Sequence, residues 1–301
     1  MRQIARQIGR SPSTVSRELG RNGDQQRGYR PHAAESAAVA RMRRPRERRL
    51  ATDSALRDTV SGLLAKRWSP EQVSHELRAR FAGEPSRQLC TESIYQAIYD
   101  PAVEVSRPSR RRRRARRRRG DCRRQRPGSM RMIDERPDEA EGRGTAGHWE
   151  GDLIKGTSNR SAIGTLVDRK TRFLMLLHLD GGQGAVALNA ALQQQLGALP
   201  DALRRTLTWD QGSEMAGHEQ VVAQTGVDVF FCDAHSPWQR GSNENMNGVL
   251  RDYFPKGSDL SIHTAAELER VAAEVNARPR KTLRWRTPAD LLDVEFSQIA
   301  A

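Results

Sequence analysis

An arginine-rich tract divides the chain and limits what it can fold into. Residues 107–126 hold 13 arginines and one aspartate, a net charge of +12, and the whole chain of 301 residues has a net charge of +14. A segment of this composition cannot bury apolar surface, so it predicts a linker between separately folded parts. Residues 1–50 add 13 arginines against four acidic residues, which leaves the rest of the chain acidic overall.

The basic half of the chain predicts contact with nucleic acid. An arginine arm can lie along phosphates, and a solvated linker is the alternative interpretation. The candidate contacts within the tract are Arg111, Arg112, Arg117 and Arg118. A chain of this length also has room for two or three domains with their own cores.

Cysteine spacing and hydropathy restrict the class of protein. Cys90, Cys122 and Cys232 show no paired zinc-ligand spacing, which indicates structural thiols in a reducing compartment. The sequence contains no apolar run near the roughly 20 residues that a membrane-spanning helix needs, and no signal-peptide core. We therefore expect a soluble cytoplasmic protein that does not contact a membrane.

Residues 1–50 predict a helix-turn-helix unit. Ser11 suits the cap and Pro12 the first position of a second helix, whose Val15 and Leu19 would pack against a first helix near Ala5. Its outward residues are the candidate DNA contacts Ser13, Thr14, Ser16 and Arg17. An ordinary helical hairpin is the alternative. Because such units normally have a supporting helix upstream, we also expect this one to be truncated at its N-terminus.

Residues 51–104 predict a second helical domain that resembles a helix-turn-helix. Ser69 and Gln72 have the spacing of a capping box at the start of one helix, and residues 91–99 predict another helix. The expected small core is Val73, Leu77, Ile94, Tyr95, Ile98 and Tyr99. A packing domain and a second DNA-binding helix pair both remain open.

The remainder predicts a linker over 105–144 and a mixed sheet covered by helices over 145–301, which ends in a C-terminal helix. Three consecutive strands followed by alternating helices and strands favour this architecture. The predicted strands are 148–155, 161–168, 172–179, 205–209 and 227–231, and the predicted helices include 184–197, 214–225 and one from Ser236 that carries Glu244. The fold class is therefore α/β, with helical units preceding a sheet domain.

Three carboxylates in distinctive surroundings, Asp152, Asp210 and Glu244, predict a magnesium site. Asp210 follows an apolar strand at a turn, and alternation places Glu150 and Asp152 on one face of a strand, so either could be a ligand. A turn-forming aspartate and a solvated glutamate are the ordinary alternatives. Hard oxygen ligands suit Mg²⁺, which activates the nucleophile and stabilises the leaving oxygen at a phosphodiester. Because carboxylates repel one another, we expect poor organisation without metal.

The helix from Ser236 is expected to begin with Ser236 and Gln239 as a capping box and Pro237 at its first position. Met246, Val249, Leu250 and Tyr253 would form its apolar stripe, opposite Glu244. Beside Glu244, the candidate DNA contacts are Arg240, Asn247 and Arg251. His235 is a candidate contact to a phosphate or to solvent, and a structural role is the interpretation that we favour.

Seven stretches of this chain resemble the DDE transposases of the insertion-sequence-thirty family, whose catalytic core is RNase H-like and similar to retroviral integrases. The stretches are IARQIGRSPSTVSRELGRN (4–22), WSPEQVSHEL (68–77), SIYQAIY (93–99), GHWEGDLIKG (147–156), TLTWDQGSEMAGH (206–218), FCDAHSPWQRGSNENMNGVLRDYFPKG (231–257) and NARPRKTLRWRTPADLL (276–292). They span most of the chain. The chain departs from the pattern at Gln211 and Ala234, where we expect Asn and Pro, and neither position is a metal ligand.

The resemblance implies an activity and a catalytic triad. By position the triad is Asp152, Asp210 and Glu244, which favours Asp152 over Glu150. The implied reaction is metal-dependent cleavage at the terminal inverted repeats of an insertion sequence, followed by strand transfer of the freed 3′-OH into target DNA. Mg²⁺ is the implied cofactor, with Mn²⁺ as a substitute, and a homo-oligomer on DNA and a nucleoid-associated location in a prokaryotic cytoplasm are also implied.

Two other functions remain as alternatives. A DNA-binding protein or repressor derived from a transposase, with no productive transposition, would keep the helix-turn-helix and lose the reaction. A general RNase H-type nuclease would explain the carboxylates, although it would not explain two helical units and an arginine arm.

Overall fold

A computed structural model describes residues 1–24, 28–42, 48–100, 103, 105, 130–180, 182, 184–234 and 236–300. Arg111, Arg112, Arg117, Arg118 and His235 lie outside the described residues, so their predicted contacts stay predictions. The described chain divides into two compact units, Met1–Ser54 and Ala55–Ala301. None of the helices in the described ranges has both the length and the apolar character needed to cross a membrane.

The first unit contains the predicted pair of helices. Ser11 accepts a hydrogen bond from the Thr14 backbone N–H at 3.2 Å, and Pro12 opens the second helix, as expected. Ala5 and Val15 are buried between the helices, whereas Leu19 is half-buried. The elements are α1 (Arg2–Gln7), α2 (Pro12–Asn22), β1 (Gly23–Asp24), its antiparallel partner β2 (Gly28–Tyr29), α3 (Pro31–Met42) and α4 (Arg49–Thr52).

Three helices begin the second unit: α5 (Ser54–Ala65, which starts at the last residue of the first unit), α6 (Pro70–Arg80) and α7 (Thr91–Tyr99). The capping box at α6 is confirmed, with Gln72 N donating to Ser69 Oγ at 3.2 Å and Ser69 N to Gln72 Oε1 at 2.9 Å. The expected burial of Tyr95 and Tyr99 is wrong, because they are 43% and 62% exposed. They lie one turn apart on a face of α7 that points away from its core.

The second unit also contains a five-stranded mixed sheet, which confirms the predicted fold class. Its strands are β3 (His148–Lys155), β4 (Ala162–Asp168), β5 (Leu174–Leu177), β6 (Thr206–Trp209) and β7 (Asp228–Phe231), in the spatial order β5-β4-β3-β6-β7. β3, β4 and β5 pair antiparallel, while β3, β6 and β7 pair parallel. β5 is shorter than predicted, since Arg172 has φ of +61° in a turn that the Asp168 carboxylate holds.

Helices cover both faces of the sheet. Their bounds are α8 (Asp138–Glu141), α9 (Ala185–Gly197), α10 (His218–Thr225), α11 (Gly241–Leu250), α12 (Ala265–Asn276) and α13 (Pro288–Ala300). Trp149 and Leu153 of β3 share a core with α9 and α10, whereas Ile154 shares another with α11 and α12. Since side chains alternate along a strand, Glu150 and Asp152 lie on the face that α11 covers.

Contacts between α6 and the segment after α12 tie the first helices of this unit to its sheet domain. Gln72 Nε2 donates to the Pro279 carbonyl at 2.8 Å, and the rings of His75 and Trp285 stack with centroids 4.3 Å apart. Lys281 Nζ lies 2.7 Å from Glu71 Oε1, an exposed pair that adds little.

Candidate active site

The start of α11 differs from the expectation. Pro237–Arg240 is a 3₁₀ turn, α11 begins at Gly241, and Ser236 makes no capping hydrogen bond through its side chain. The predicted capping box is therefore wrong. Gln239 instead accepts from the Asp233 N–H at 2.8 Å and donates to the Asp233 carboxylate at 2.9 Å. A hydrogen-bonded loop between Asp233 and Gln239 replaces the predicted cap.

Glu150 supplies the cap that Ser236 does not. It is fully buried, and its Oε2 accepts from the backbone N–H groups of Ser242 and Asn243, each at 3.1 Å. A carboxylate is favourable there because the first N–H groups of a helix lack intrahelical partners. Arg169 Nη1 lies 2.5 Å from Glu150 Oε1 and balances the charge. The donors around Glu150 therefore occupy both of its oxygens.

Asp152 and Asp210 lie side by side on neighbouring parallel strands. β3 and β6 pair Glu150 with Thr208, so continuing this register two residues places Asp152 next to Asp210. Arg240 extends from the turn before α11 and reaches both: its Nη1 is 3.4 Å from Asp152 Oδ1 and its Nη2 is 3.2 Å from Asp210 Oδ2. The same Nη1 donates to the Gly151 carbonyl at 2.8 Å. Two carboxylates thus share one guanidinium.

Gly151 makes room for Trp209 on the opposite face of the sheet. A Cβ atom on Gly151 would stand 2.0 Å from Cζ3 of Trp209, whose ring is fully buried. The ring occupies the space that any side chain at position 151 would need. Only glycine therefore lets Trp209 pack against β3 here, on the face opposite the two aspartates.

Glu244 lies on the face of α11 nearest these aspartates but does not contact them. Asn247, one turn later, donates from Nδ2 to Asp152 Oδ2 at 2.8 Å, and Arg240 lies one turn earlier. Glu244 is exposed, and within the described ranges it forms no hydrogen bond or ion pair. The predicted apolar stripe opposite it is confirmed, with Met246 and Leu250 buried and Val249 and Tyr253 partly buried.

Charge interactions connect the two aspartates with Arg240. Burial raises the pKa of Asp152, Arg240 opposes this rise, and the negative charge of Asp210 adds to it. Burial works against the charged form of Arg240, yet the charges of Asp152 and Asp210 outweigh it and raise the pKa of the guanidinium. The aspartates therefore favour a positive charge between them, and in this structure the Arg240 guanidinium supplies it.

The donor chemistry of this site suits a hard divalent cation. Asp152 and Asp210 offer carboxylate oxygens that already converge on one positive charge. Across the described parts of the chain, however, no three His, Cys, Asp or Glu side chains are grouped closely enough to hold a metal ion. Two members of the predicted triad therefore converge here on the Arg240 guanidinium, and a metal site would need Glu244 to join them.

A cleft of about 540 Å³ opens beside the aspartates. Its charged lining residues are the acidic Asp152, Asp210 and Glu214 and the basic Lys155, Arg251 and Lys256. Arg251 is fixed by donating to the carbonyls of Lys155 at 3.2 Å and Phe254 at 3.4 Å. Acidic groups surrounded by cations suit a polyanion bound across a metal site. Lys155 and Lys256 were not predicted, since no periodicity distinguishes a cleft lysine from a solvated one.

Comparison with known proteins connects this geometry to a family. Residues 143–237 match the family model described as the integrase core domain, and residues 1–22 match a helix-turn-helix domain. The chain is 44% identical over 300 residues to the transposase for insertion sequence element IS1086 of Cupriavidus metallidurans, covering 97% of this chain and 88% of the relative. This chain belongs to the insertion-sequence-thirty transposase family.

Two other relatives from this transposase family also match nearly the whole chain. The transposase InsI for insertion sequence element IS30C of Escherichia coli is 41% identical over 97% of this chain and 78% of its own length. The transposase for insertion sequence element IS4351 of Bacteroides fragilis is 32% identical, over 98% and 89%. The matched integrase core contains Asp152 and Asp210 and ends before Glu244. The resemblance noted in the sequence is thereby confirmed.

The candidate DNA contacts of this transposase differ from one another in exposure and in local partners. Ser13, Thr14, Ser16 and Arg17 are all exposed on α2, within the matched helix-turn-helix. Ser11 Oγ lies 2.9 Å from Ser13 Oγ and 2.8 Å from Thr14 Oγ1, so these hydroxyls already have local partners. Arg240 faces the aspartates, with 13% of its side chain exposed.

Gln211, a departure from the family pattern, has a definite place in the site. Its Nε2 donates to the Cys232 carbonyl at 2.9 Å and thereby ties the turn after Asp210 to the chain that follows β7. The backbone N–H of Gly212 donates to Asp210 Oδ1 at 3.1 Å. The first of these hydrogen bonds holds the turn that follows Asp210, and the second holds the Asp210 carboxylate.

Proposed function

We propose that this transposase binds the terminal inverted repeats of an insertion sequence, cleaves the DNA there, and transfers the freed 3′-OH to target DNA. The alternative of an unproductive DNA-binding protein is not favoured, because the relatives matched over nearly the whole chain are named transposases. The observation that carries the proposal is the pair Asp152 and Asp210 on adjacent strands, beside the helix face that bears Glu244.

In this proposal Asp152, Asp210 and Glu244 hold Mg²⁺, or Mn²⁺ in its place. When bound, such ions lower the pKa of the attacking water or hydroxyl and stabilise the leaving oxygen of the phosphodiester. Asp152 has one oxygen oriented by Asn247, which leaves the carboxylate in a fixed direction for a metal. Asp210 is oriented by the N–H of Gly212 in the same way.

The surrounding cations bind and position the DNA. Lys155, Arg251 and Lys256 line the cleft and would contact phosphates on either side of the scissile bond. Ser13, Thr14, Ser16 and Arg17 would contact the inverted repeat through the helix-turn-helix. Arg240 and Asn247 complete the set of proposed contacts near the triad. The arginines at 111, 112, 117 and 118 would add sequence-independent contacts.

Assembly and location follow from the reaction. Joining two ends of one element to a target generally needs at least two protomers, so we propose a homo-oligomer on DNA. Action on chromosomal and element DNA would place the protein at the nucleoid of a bacterial cytoplasm.

The test is cleavage and strand transfer on labelled DNA that carries the terminal repeats, with and without Mg²⁺. The protein should cleave only with metal, and Glu244→Gln should bind the same DNA without cleaving it. Glu219→Gln, which removes an exposed charge on α10, is the matched control and should cleave normally. Equal cleavage by Glu244→Gln and the unaltered protein would refute the assignment of the triad.

A further inference from the structure

Arg240 is the side chain that bridges the carboxylates of the two aspartates. Its two terminal nitrogens divide between Asp152 at 3.4 Å and Asp210 at 3.2 Å, and only 13% of the side chain is exposed. The cations that line the cleft do not do this: among the described residues neither lysine nor Arg251 forms an ion pair with the aspartates, and the hydrogen bonds of Arg251 go to backbone carbonyls. Arg240 alone, among the described cations, bridges the pair.

The bridge pairs the positive charge of Arg240 with carboxylates but leaves one of its hydrogen-bond donors without an acceptor. Nη1 also donates to the Gly151 carbonyl, while Nε is buried and has no hydrogen-bond partner among the described residues. A buried guanidinium donor without an acceptor is unfavourable. The carboxylates therefore hold Arg240 in a place where its own hydrogen bonding is incomplete, unlike Arg169, whose Nε donates to the Ala140 carbonyl at 2.8 Å.

We propose that Arg240 is the resident cation of the site, which holds Asp152 and Asp210 together until a divalent metal displaces it. The inference rests on the proposed function, because it takes the two aspartates to be metal ligands. A guanidinium and a metal ion cannot both occupy the space between the same carboxylate oxygens. Metal binding therefore requires the Arg240 side chain to leave.

The fold lets the side chain move without unfolding the helix. Arg240 lies in the 3₁₀ turn before α11, and α11 itself is held by Glu150 at the N–H groups of Ser242 and Asn243. Upstream, Gln239 is fixed to Asp233. With the backbone anchored on both sides, displacement involves rotation of one side chain. The released guanidinium then becomes available to a DNA phosphate on the same face as Glu244.

Arg240 acts here as a positioning residue, so its test measures metal binding and stability in the absence of DNA. We would titrate Mn²⁺ into the full-length protein by calorimetry and record thermal unfolding with and without Mn²⁺. Arg240→Gln should unfold at a lower temperature than the unaltered protein without metal, because two adjacent carboxylates lose their counter-charge. It should also bind Mn²⁺ about tenfold more tightly, since the competing cation is gone.

Two further variants separate competition from general electrostatics and from misfolding. Arg251→Gln removes the same charge from the same cleft without freeing the aspartates, so its gain in Mn²⁺ affinity should be clearly smaller. Arg240→Lys keeps a cation that cannot bridge both carboxylates as a planar fork does, and it should fall between the unaltered protein and Arg240→Gln. The lysine variant keeps the test decisive if the glutamine variant does not fold.

The failure of this inference differs from the failure of the proposed function. The resident-cation inference would be overturned if Mn²⁺ affinity were lost in Asp210→Asn but unchanged in both Arg240 variants. The metal site would then remain intact. An Mn²⁺ affinity that is unaffected by Asp210→Asn would refute the proposed metal site, and the inference would fail with it.

Discussion

The stretch 150–152 of β3 has an arginine against carboxylates at each of its two ends, and these ends differ in access to solvent. At the first end Glu150 and Arg169 have exposed fractions of 0% and 3% and every oxygen of Glu150 has a donor. At the second end Asp152, Asp210 and Arg240 have side-chain exposures of 27%, 42% and 13% beside an open cleft. Similar charge pairing therefore builds a closed structural cluster at one end and an exchangeable site at the other.

The comparison shows why Glu150 and Asp152, two acids on one face of β3, have different roles. A buried charge that loses its partner is strongly destabilising, whereas a charge next to solvent can exchange its partner for another cation. Glu150 stabilises the position of α11, and α11 carries Arg240, Glu244 and Asn247 to the open end. The closed cluster thus determines where the candidate catalytic groups lie.

The largest expected effect is on the open end. Asp152→Asn should reduce DNA cleavage by about 10³-fold, equivalent to about 4 kcal/mol of transition-state stabilisation, because a proposed metal ligand loses its charge. Single-turnover cleavage of labelled repeat DNA would measure it. The unfolding free energy should change little, since Asp152 is partly exposed. A variant that cleaves normally, or that unfolds before it can be assayed, would contradict the division between the two ends.

The second prediction concerns the closed end. Glu150→Gln should lower the unfolding free energy by about 3 kcal/mol, because Arg169 loses its buried carboxylate partner and keeps only the largely exposed Glu141. Urea unfolding followed by circular dichroism would measure this. The double variant Glu150→Gln, Arg169→Met should recover part of the loss, since it removes the buried charge that Glu150 balanced. Without such recovery, the penalty would belong to the helix cap and not to the ion pair.

The third prediction tests the residue between the two ends. Gly151→Ala should lower the unfolding free energy by about 2 kcal/mol, because its Cβ would overlap the buried ring of Trp209. Gly184→Ala is the matched control, since a Cβ there meets no atom within 4 Å. Chemical denaturation of both variants would compare them. Equal stability would mean that Trp209 can shift and that β3 and β6 tolerate a wider separation.

The smallest expected effect is a pH dependence at the closed end. His148 is 1% exposed, and burial lowers the pKa of its imidazole, although Glu139 opposes this. The unfolded chain then binds a proton more readily than the folded one, so stability should decrease as the pH falls below the ordinary histidine pKa of about 6.5.

Thermal unfolding between mildly acidic and neutral pH would measure that slope. His148→Gln should flatten it, whereas His32→Gln, at an exposed position of α3, should leave it unchanged. An identical slope in both variants would assign the acid sensitivity to other groups.

Local sequence rules accounted for much of the fold. Two-residue alternation predicted β3 and placed Glu150 and Asp152 on one face, and the capping patterns at Ser11 and Ser69 were confirmed. The same rule failed at Ser236, where the spacing was correct but the side chain makes no cap. A cap from Glu150, 92 residues away from Ser242, serves α11 instead, and no local pattern can reveal such a contact.

The sequence by itself therefore determined the fold class, the helix-turn-helix, the arginine tract and the candidate carboxylates, because these depend on periodicity, composition and motifs within short stretches. The choice of Asp152 over Glu150 came from the family resemblance. Only the tertiary structure decided that Glu150 is closed in by donors and that Arg240 faces two aspartates. Strand alternation fixes the face on which a side chain lies. Its burial and its partners depend on elements that meet only after the chain has folded, and these decide whether a carboxylate supports the fold or is available to a metal.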